Sequence, residues 1–474
     1  MSLCPTLLLA SGLLAAEASF PGPRVLGVAP AVTGDEPGGV TVGLTDAVAL
    51  ALEGNFALRS QGDAVVAARY SESAARSRFR PSVTPSYQAS SDTEAFAVQA
   101  AQEVPWTGGS LAASAVLRQS DPGDVHSSDL RLSLSQPLLR GFGPTVARFG
   151  VVNSERARES QERSFELARQ RLAVDVAQAF YQVARQRLSL EVAESSLQRS
   201  LDLAEASEKR MAVGLASRLD VLRAELQAEQ ARDAALSAQT ALDSTLEQFR
   251  ALLGLSPSAR VEPEPVRLPE DPALSLASLD VLVSAAYANR LELKEAEDRI
   301  GDARRALSVA RNALLPQLDL NVAVTRLSVG DRFPAFPGGD RRVELFLSTS
   351  YPVERSADRA QAAIARLDVA RAERDRRERE LSLEAEVRGA FRDLERTHAS
   401  IQVQRKRITV AQEQQRLATL RYQRGVASNF DVVDAEASIV AARTALAGLL
   451  ADFQVARYRL LRTTGELDVD ETFR

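Results

Sequence analysis

Residues 210–221 read RMAVGLASRLDV, and residues 421–432 read RYQRGVASNFDV. At an offset of 211, Arg210 falls on Arg421, Gly214 on Gly425, Ala216 and Ser217 on Ala427 and Ser428, and Asp220 and Val221 on Asp431 and Val432. The same offset carries Phe180 onto Phe391, Ala224 and Glu225 onto Ala435 and Glu436, and Gly254 onto Gly465. Nearer the N-terminus, residues 52–55 (LEGN) resemble residues 286–289 (AYAN). A repeat of this length does not arise by chance, so the chain is two copies of one unit. A lone Gly between stretches free of Gly and Pro predicts a tight helix–helix turn, with the Gly as a left-handed cap.

Those flanking stretches are long. Neither Gly nor Pro occurs from 151 to 213 or from 215 to 253, and Gly389 is the one exception from 353 to 424. Ala, Leu, Arg, Glu and Gln dominate them, all strong helix formers. An unbroken helix over 151–213 would be about 95 Å long, far beyond the three or four turns usual in a globular domain. Leu188, Val192, Leu197, Leu201 and Ala204 recur at three- to five-residue spacing among small residues. That spacing suits helices packed closely along a coiled coil.

Between the helical tracts the period changes to two. In QLDLNVAVTR, residues 317–326, Leu318, Leu320, Val322 and Val324 share one face. Asp319, Asn321 and Thr325 share the other, as in a strand with one apolar side. Residues 343–351 and 130–136 also alternate, and 82–90 and 110–118 do so more weakly. Pro81 and Pro316 stand where a helix must stop before a strand. The order predicts a helical segment over 41–80, strands over 81–140 and a long helical hairpin over 141–255. The second copy repeats this as 275–315, 316–352 and 353–465, with a tail at 466–474. Residues 256–274, which include Pro257, Pro263, Pro265, Pro269 and Pro272, form the linker between the halves, and 333–340 (FPAFPGGD) is a loop. A strand pair is expected in each half.

Composition excludes several classes of function. Among 474 residues, 58 basic side chains stand against 63 acidic ones, so no basic excess serves a nucleic acid. Fifty-five of the 58 are Arg. One Cys, Cys4, and two His, His126 and His398, leave no zinc or disulfide framework, and both His read as solvated. No nucleophile–base pair can be named, so an enzyme, a cofactor or a metal is not expected. Residues 6–16 (TLLLASGLLAA), followed by Ala16-Glu17-Ala18, read as a signal peptide over 1–18, with a linker at 19–40, although no basic residue precedes the run. No later segment reads as a transmembrane helix, so a membrane would have to be crossed by strands. Strands of about ten residues with one apolar face fit an outer-membrane barrel. Four of them leave open edges, so the chain must either be soluble or oligomerise to close a barrel.

The paired turns at Gly214 and Gly425, residues 134–141 (LSQPLLRG) and residues 44–55 (LTDAVALALEGN) together resemble the TolC-type outer-membrane efflux proteins. The resemblance covers roughly residues 41–465. It implies a mainly α protein with membrane β-structure: a duplicated helix–strand–strand–helix–helix unit, assembled as a homotrimer with a twelve-stranded β-barrel in outer-membrane lipid and a long periplasmic α-helical barrel. It implies a non-catalytic export duct that works with a periplasmic adaptor and an inner-membrane pump. Val213, Gly214, Leu215, Gly425, Val426 and Ala427 would be adaptor-docking tips, Asp220 and Tyr422 a closing bond between neighbouring helices, and Asp431 and Asp434 the lumen constriction. Ala427 and Leu219 stand where the resemblance implies an Arg–Thr gate link, so one of two links is missing. From the residues alone, the three Asp are N-cap or solvated residues, or else rings of carboxylates that favour cations. The competing reading is a soluble periplasmic coiled-coil adaptor, which would carry one hairpin and no duplication.

Overall fold

The computed structural model describes residues 40–473 apart from 91–92, 121–124, 267, 269–276 and 331–339. The expected signal peptide, Cys4, most of the N-terminal linker and nearly all of the 333–340 loop lie outside the described residues. The first half begins with β1 (Val40–Val42), α1 (Leu44–Gly54) and α2 (Phe56–Ser77). Four strands follow: β2 (Ser82–Ala89), β3 (Thr93–Glu103), β4 (Ser110–Ser120) and β5 (Val125–Pro137). A short α3 (Pro144–Ala147) leads into α4 (Phe149–Ala212) and α5 (Arg218–Leu252). After β6 (Val261–Pro263), the second half runs α6 (Leu279–Asn289), α7 (Leu291–Asn312), β7 (Gln317–Gly330), β8 (Asp340–Ser350), α8 (Ser356–Gln423), α9 (Asn429–Thr464) and α10 (Val469–Thr472).

The unbroken tracts form the expected helices: α4 has 64 residues and α8 has 68. Their partners are shorter, and each long helix is flanked by two that meet end to end. Along α4 these are α2 and α5. Asn55 caps the start of α2, accepting the Leu58 amide, while its side-chain amide donates to the Leu252 carbonyl at the end of α5 (2.9 Å). A Cβ on Gly254 would lie 2.2 Å from the Gly54 carbonyl oxygen, so the backbones touch. In the second half the Arg290 guanidinium donates to the Arg462 and Thr463 carbonyls at the end of α9. The structural match to Asn289 is therefore Gly54, one residue away from the match read in the sequence.

The apolar cores lie around these junctions. One gathers Val48, Phe180, Phe249, Leu253, Val261 and Leu467, and the other Leu282, Leu383, Val387, Leu394 and Phe453. The parallel pair β1–β6 lies against the first. Elsewhere the helices meet through Ala and through Arg–carboxylate pairs such as Arg158–Glu72 (2.6 Å) and Arg163–Glu295 (2.9 Å). Many of the 55 Arg thus staple neighbouring helices.

Three expectations are corrected here. The sheet has six strands in the order β2-β3-β4-β5-β7-β8, all antiparallel. The first half carries two strand pairs where one was expected, so the halves are not identical units. By composition α9 is long and apolar enough to cross a membrane, with a mean hydropathy of 1.4 over its most apolar window. Half of that window is buried within the chain, so its apolar surface serves helix packing. The two His also differ from expectation. His126 is buried on β5, opposite Gln119 and Gly330, and the His398 ring packs 5.9 Å from that of Phe453.

Candidate functional site

The two interhelical turns close at one end of the helical shaft. Both end in the same way. The Leu215 amide donates to the Arg210 carbonyl and Gly214 to Met211; the Val426 amide donates to Arg421 and Gly425 to Tyr422. Gly214 and Gly425 have φ of +74° and +75°, the left-handed cap that only Gly adopts without strain. This geometry leaves Val213, Leu215 and Val426 in solvent, at 68%, 67% and 74% exposure, with Ala427 half-buried.

Ser217 then starts α5 through a reciprocal cap. Its hydroxyl accepts the Asp220 amide (3.2 Å), and the Asp220 carboxylate accepts the Ser217 hydroxyl (2.7 Å) and amide (3.1 Å). The hydroxyl, and after it the amide, hold the Asp220 carboxyl below the usual carboxylate range. Of the readings left open for Asp220, the structure gives the capping one. Its carboxylate faces its own helix start and not Tyr422. The Tyr422 hydroxyl is buried and lies 2.9 Å from the Ser207 hydroxyl, and the Arg210 guanidinium covers the Tyr422 ring at 4.7 Å. A direct Asp220–Tyr422 bond is therefore absent within this chain. The link near Asp220 runs through backbone: the buried Asn429 side-chain amide donates to the Asp220 carbonyl at 2.5 Å.

Asp431 and Asp434 lie in the first two turns of α9, and both are exposed. Next to them Glu436 is buried; its carboxylate takes Arg199 of α4 at 2.7 Å and also the Gln415 amide of α8. Three helices thus meet on one carboxylate. Ser207, Arg210, Asn429, Arg199 and Glu436 were not singled out in the sequence. Arg210 and Glu436 do belong to repeat-matched positions, paired with Arg421 and Glu225, and that was the available signal.

At the opposite end, strand register brings the apolar positions together. Val83, Ala100, Ala113, Leu132, Val324 and Val343 form one rung across all six strands. The next rung, Thr84, Gln99, Ser114, Arg131, Thr325 and Arg342, is polar throughout. Because successive residues point to opposite faces, one face of the sheet is apolar and the other polar. Trp106, Phe142 and Tyr351 are exposed near the helix end of this sheet, as in the aromatic girdle of outer-membrane barrels.

An amphipathic sheet with one lipid-compatible face, joined to a helical shaft with an exposed apolar tip, fits a protein anchored in a membrane by its strands. The chain belongs to the outer membrane efflux protein family, whose model matches residues 47–255 and 282–466. It is an outer-membrane efflux channel, which sets aside the soluble-adaptor reading. Curated relatives include nodulation protein T of Rhizobium leguminosarum bv. trifolii, 22% identical over 66% of this chain and 67% of that protein. The outer membrane efflux protein BepC of Brucella suis is 24% identical over 72% of each chain. Among solved structures, VceC of Vibrio cholerae superposes with a TM-score of 0.69 at 18% identity, covering 89% of this chain and 96% of that one. CusC superposes with a TM-score of 0.67 at 19% identity, covering 90% and 93%. At these identities the superpositions speak for the fold.

Proposed function

We propose that three copies assemble into a continuous export duct. Their sheets form a barrel in the outer membrane and their helical shafts a tunnel through the periplasm. The tip at Val213, Gly214, Leu215, Gly425, Val426 and Ala427 docks a periplasmic adaptor, which connects the duct to an inner-membrane pump. The observation that carries this reading is the tip itself. Three large apolar side chains held in solvent beside two Gly caps make an uncovered patch at the end of the shaft, and such patches mark interaction sites. Asp431 and Asp434 lie just inside the tip. Threefold symmetry would gather six carboxylates near the axis, where they select cations. The Tyr422–Ser207, Arg210–Tyr422 and Asn429–Asp220 contacts hold the helices of one copy together beside that constriction and restrain its opening. In this reading Asp220 serves the gate through its cap and its carbonyl.

The test is a mass measurement in mild detergent followed by planar-bilayer recording. A mass of three chains, with small cation-selective currents blocked by a trivalent cation from the tip side, supports the duct. A stable monomer, or an anion-selective pore, overturns it.

A further inference from the structure

The two halves are offset by 235 residues before the sheet, since α1 and α6 start at Leu44 and Leu279, and α2 and α7 at Phe56 and Leu291. After the sheet the offset is 211, from Gly214 to Gly425 and from Gly254 to Gly465. The first half therefore holds 24 extra residues in its strand region, enough for one more β-hairpin. β2 follows α2 as β7 follows α7, and β5 leads to α4 as β8 leads to α8, so β3 and β4 are the insertion.

This hairpin is built into the sheet. β3 pairs along its whole length with β4, and along most of it with β2, and β4 pairs throughout with β5. Its turn is fastened to the strand–helix junction. The Gly143 amide donates to the Thr107 carbonyl, and a Cβ on Gly108 (φ +78°) would lie 2.4 Å from the Gly141 carbonyl oxygen. Phe96, Val98, Leu111 and Leu117 of the hairpin share the apolar face of Leu132 and Val324.

The outer edges are β2 and β8, and both are exposed along their entire length. As first and sixth strands of an antiparallel sheet they run in opposite directions. The apolar band is oblique: on β2 it lies over Val83, Pro85 and Tyr87, and on β8 over Val343, Leu345 and Leu347. In the sheet's own register Val83 is level with Val343, so the band drops by several residues from one edge to the other. A slanted band is what tilted strands around a barrel present to a bilayer of fixed thickness.

We propose that β2 of each copy pairs antiparallel with β8 of the next, Val83–Tyr87 against Val343–Leu347, and closes a barrel of eighteen strands. This rests on the trimer reading. Lipid tolerates no open edge, an even number of antiparallel strands closes, and Pro85 removes at most one ladder bond. With strands about 4.8 Å apart, eighteen strands make a ring about half as wide again as twelve at the same tilt. The membrane section is then wide and the tip is the narrow point.

The partner of the β2 edge is thus a second copy, at a stated register, and disulfide trapping tests it. In a Cys4→Ser background, Thr84→Cys with Phe346→Cys and Ser86→Cys with Glu344→Cys place lumen-side thiols opposite each other across the edge. The expected result is a covalent trimer after oxidation for at least one pair. The control Thr84→Cys with Gln99→Cys, directly opposite within the sheet, should cross-link inside one chain and run as a monomer. A particle of three-chain mass in which neither edge pair links, or in which the control fails to link, overturns the eighteen-stranded wall. A mass other than three chains overturns the trimer reading itself, and the proposal with it. Spin labels at Phe96 and Leu117 give a readout free of cross-linking: lipid-soluble oxygen should reach them and a water-soluble nickel chelate should not, and the reverse overturns the proposal.

Discussion

The Tyr422 hydroxyl lies 2.9 Å from the Ser207 hydroxyl, so the ends of the two longest helices, 215 residues apart in sequence, are tied by one buried bond beside the tip. Tyr422→Phe removes that bond and keeps the ring under Arg210. Loss of one such bond costs about 1 kcal/mol. Single-channel conductance should rise or become noisier while the assembly mass stays the same. Tyr422→Ala, which also removes the surface that Arg210 covers, should do so more strongly. Unchanged currents in both variants would separate this contact from gating.

Asp220 should make the tip sensitive to acid. Its carboxyl is held low by the Ser217 hydroxyl and amide, so its folded value lies below its unfolded one. The stabilisation is complete above the unfolded carboxylate range and is lost as pH falls through the folded value. Amides in the first turn of α5 should exchange faster in acid than at neutral pH. Asp220→Ala should show the fast exchange at both, with a cap loss of about 1 kcal/mol.

Replacing both Asp431 and Asp434 by Ala should reduce cation selectivity and weaken block by a trivalent cation, with the assembly intact. Reversal potentials in a salt gradient measure the first and dose–response curves the second. If both quantities kept their original values, the two carboxylates would be no more than a solvated face.

Gly254→Ala should destabilise the shaft strongly. The residue has φ +79°, and the added carbon would meet the Gly54 backbone at 2.2 Å. The left-handed conformation alone costs about 1–2 kcal/mol for an L side chain, and a backbone atom cannot swing aside. Gly214→Ala has the same strain but open space around it, so thermal unfolding in detergent should rank Gly254→Ala well below Gly214→Ala.

Leu320→Arg on the apolar face should cost about 2–4 kcal/mol if it lies at mid-bilayer. Asn321→Arg, one residue on and on the polar face, should cost little. Denaturant unfolding from lipid vesicles compares the two, and equal effects would place neither face in lipid.

How much of this was legible follows from the range of each interaction. Helix length, the Gly turns and the duplication are local, or repeat a local pattern, so a one-dimensional reading finds them. β5 and β7 were legible because Leu and Val alternate with Ser, Asp and Asn. β3 was not. In TEAFAVQAAQE, Ala occupies both faces, so neither period stands out, and its strand state is set by the ladders with β2 and β4. The change of offset between the two halves held the missing hairpin, but as a length difference with no chemistry attached. The tip contacts lie beyond sequence reading altogether. Ser207 with Tyr422, Asn429 with Asp220, and Arg199 with Glu436 each join residues more than 200 positions apart. The sequence by itself determined which segments are helix, turn and most of the strands, because those depend on backbone propensity and on the burial period. Only the tertiary structure decided which polar groups meet, because a hydrogen bond is set by ångström-scale geometry between helices whose relative placement no local pattern encodes.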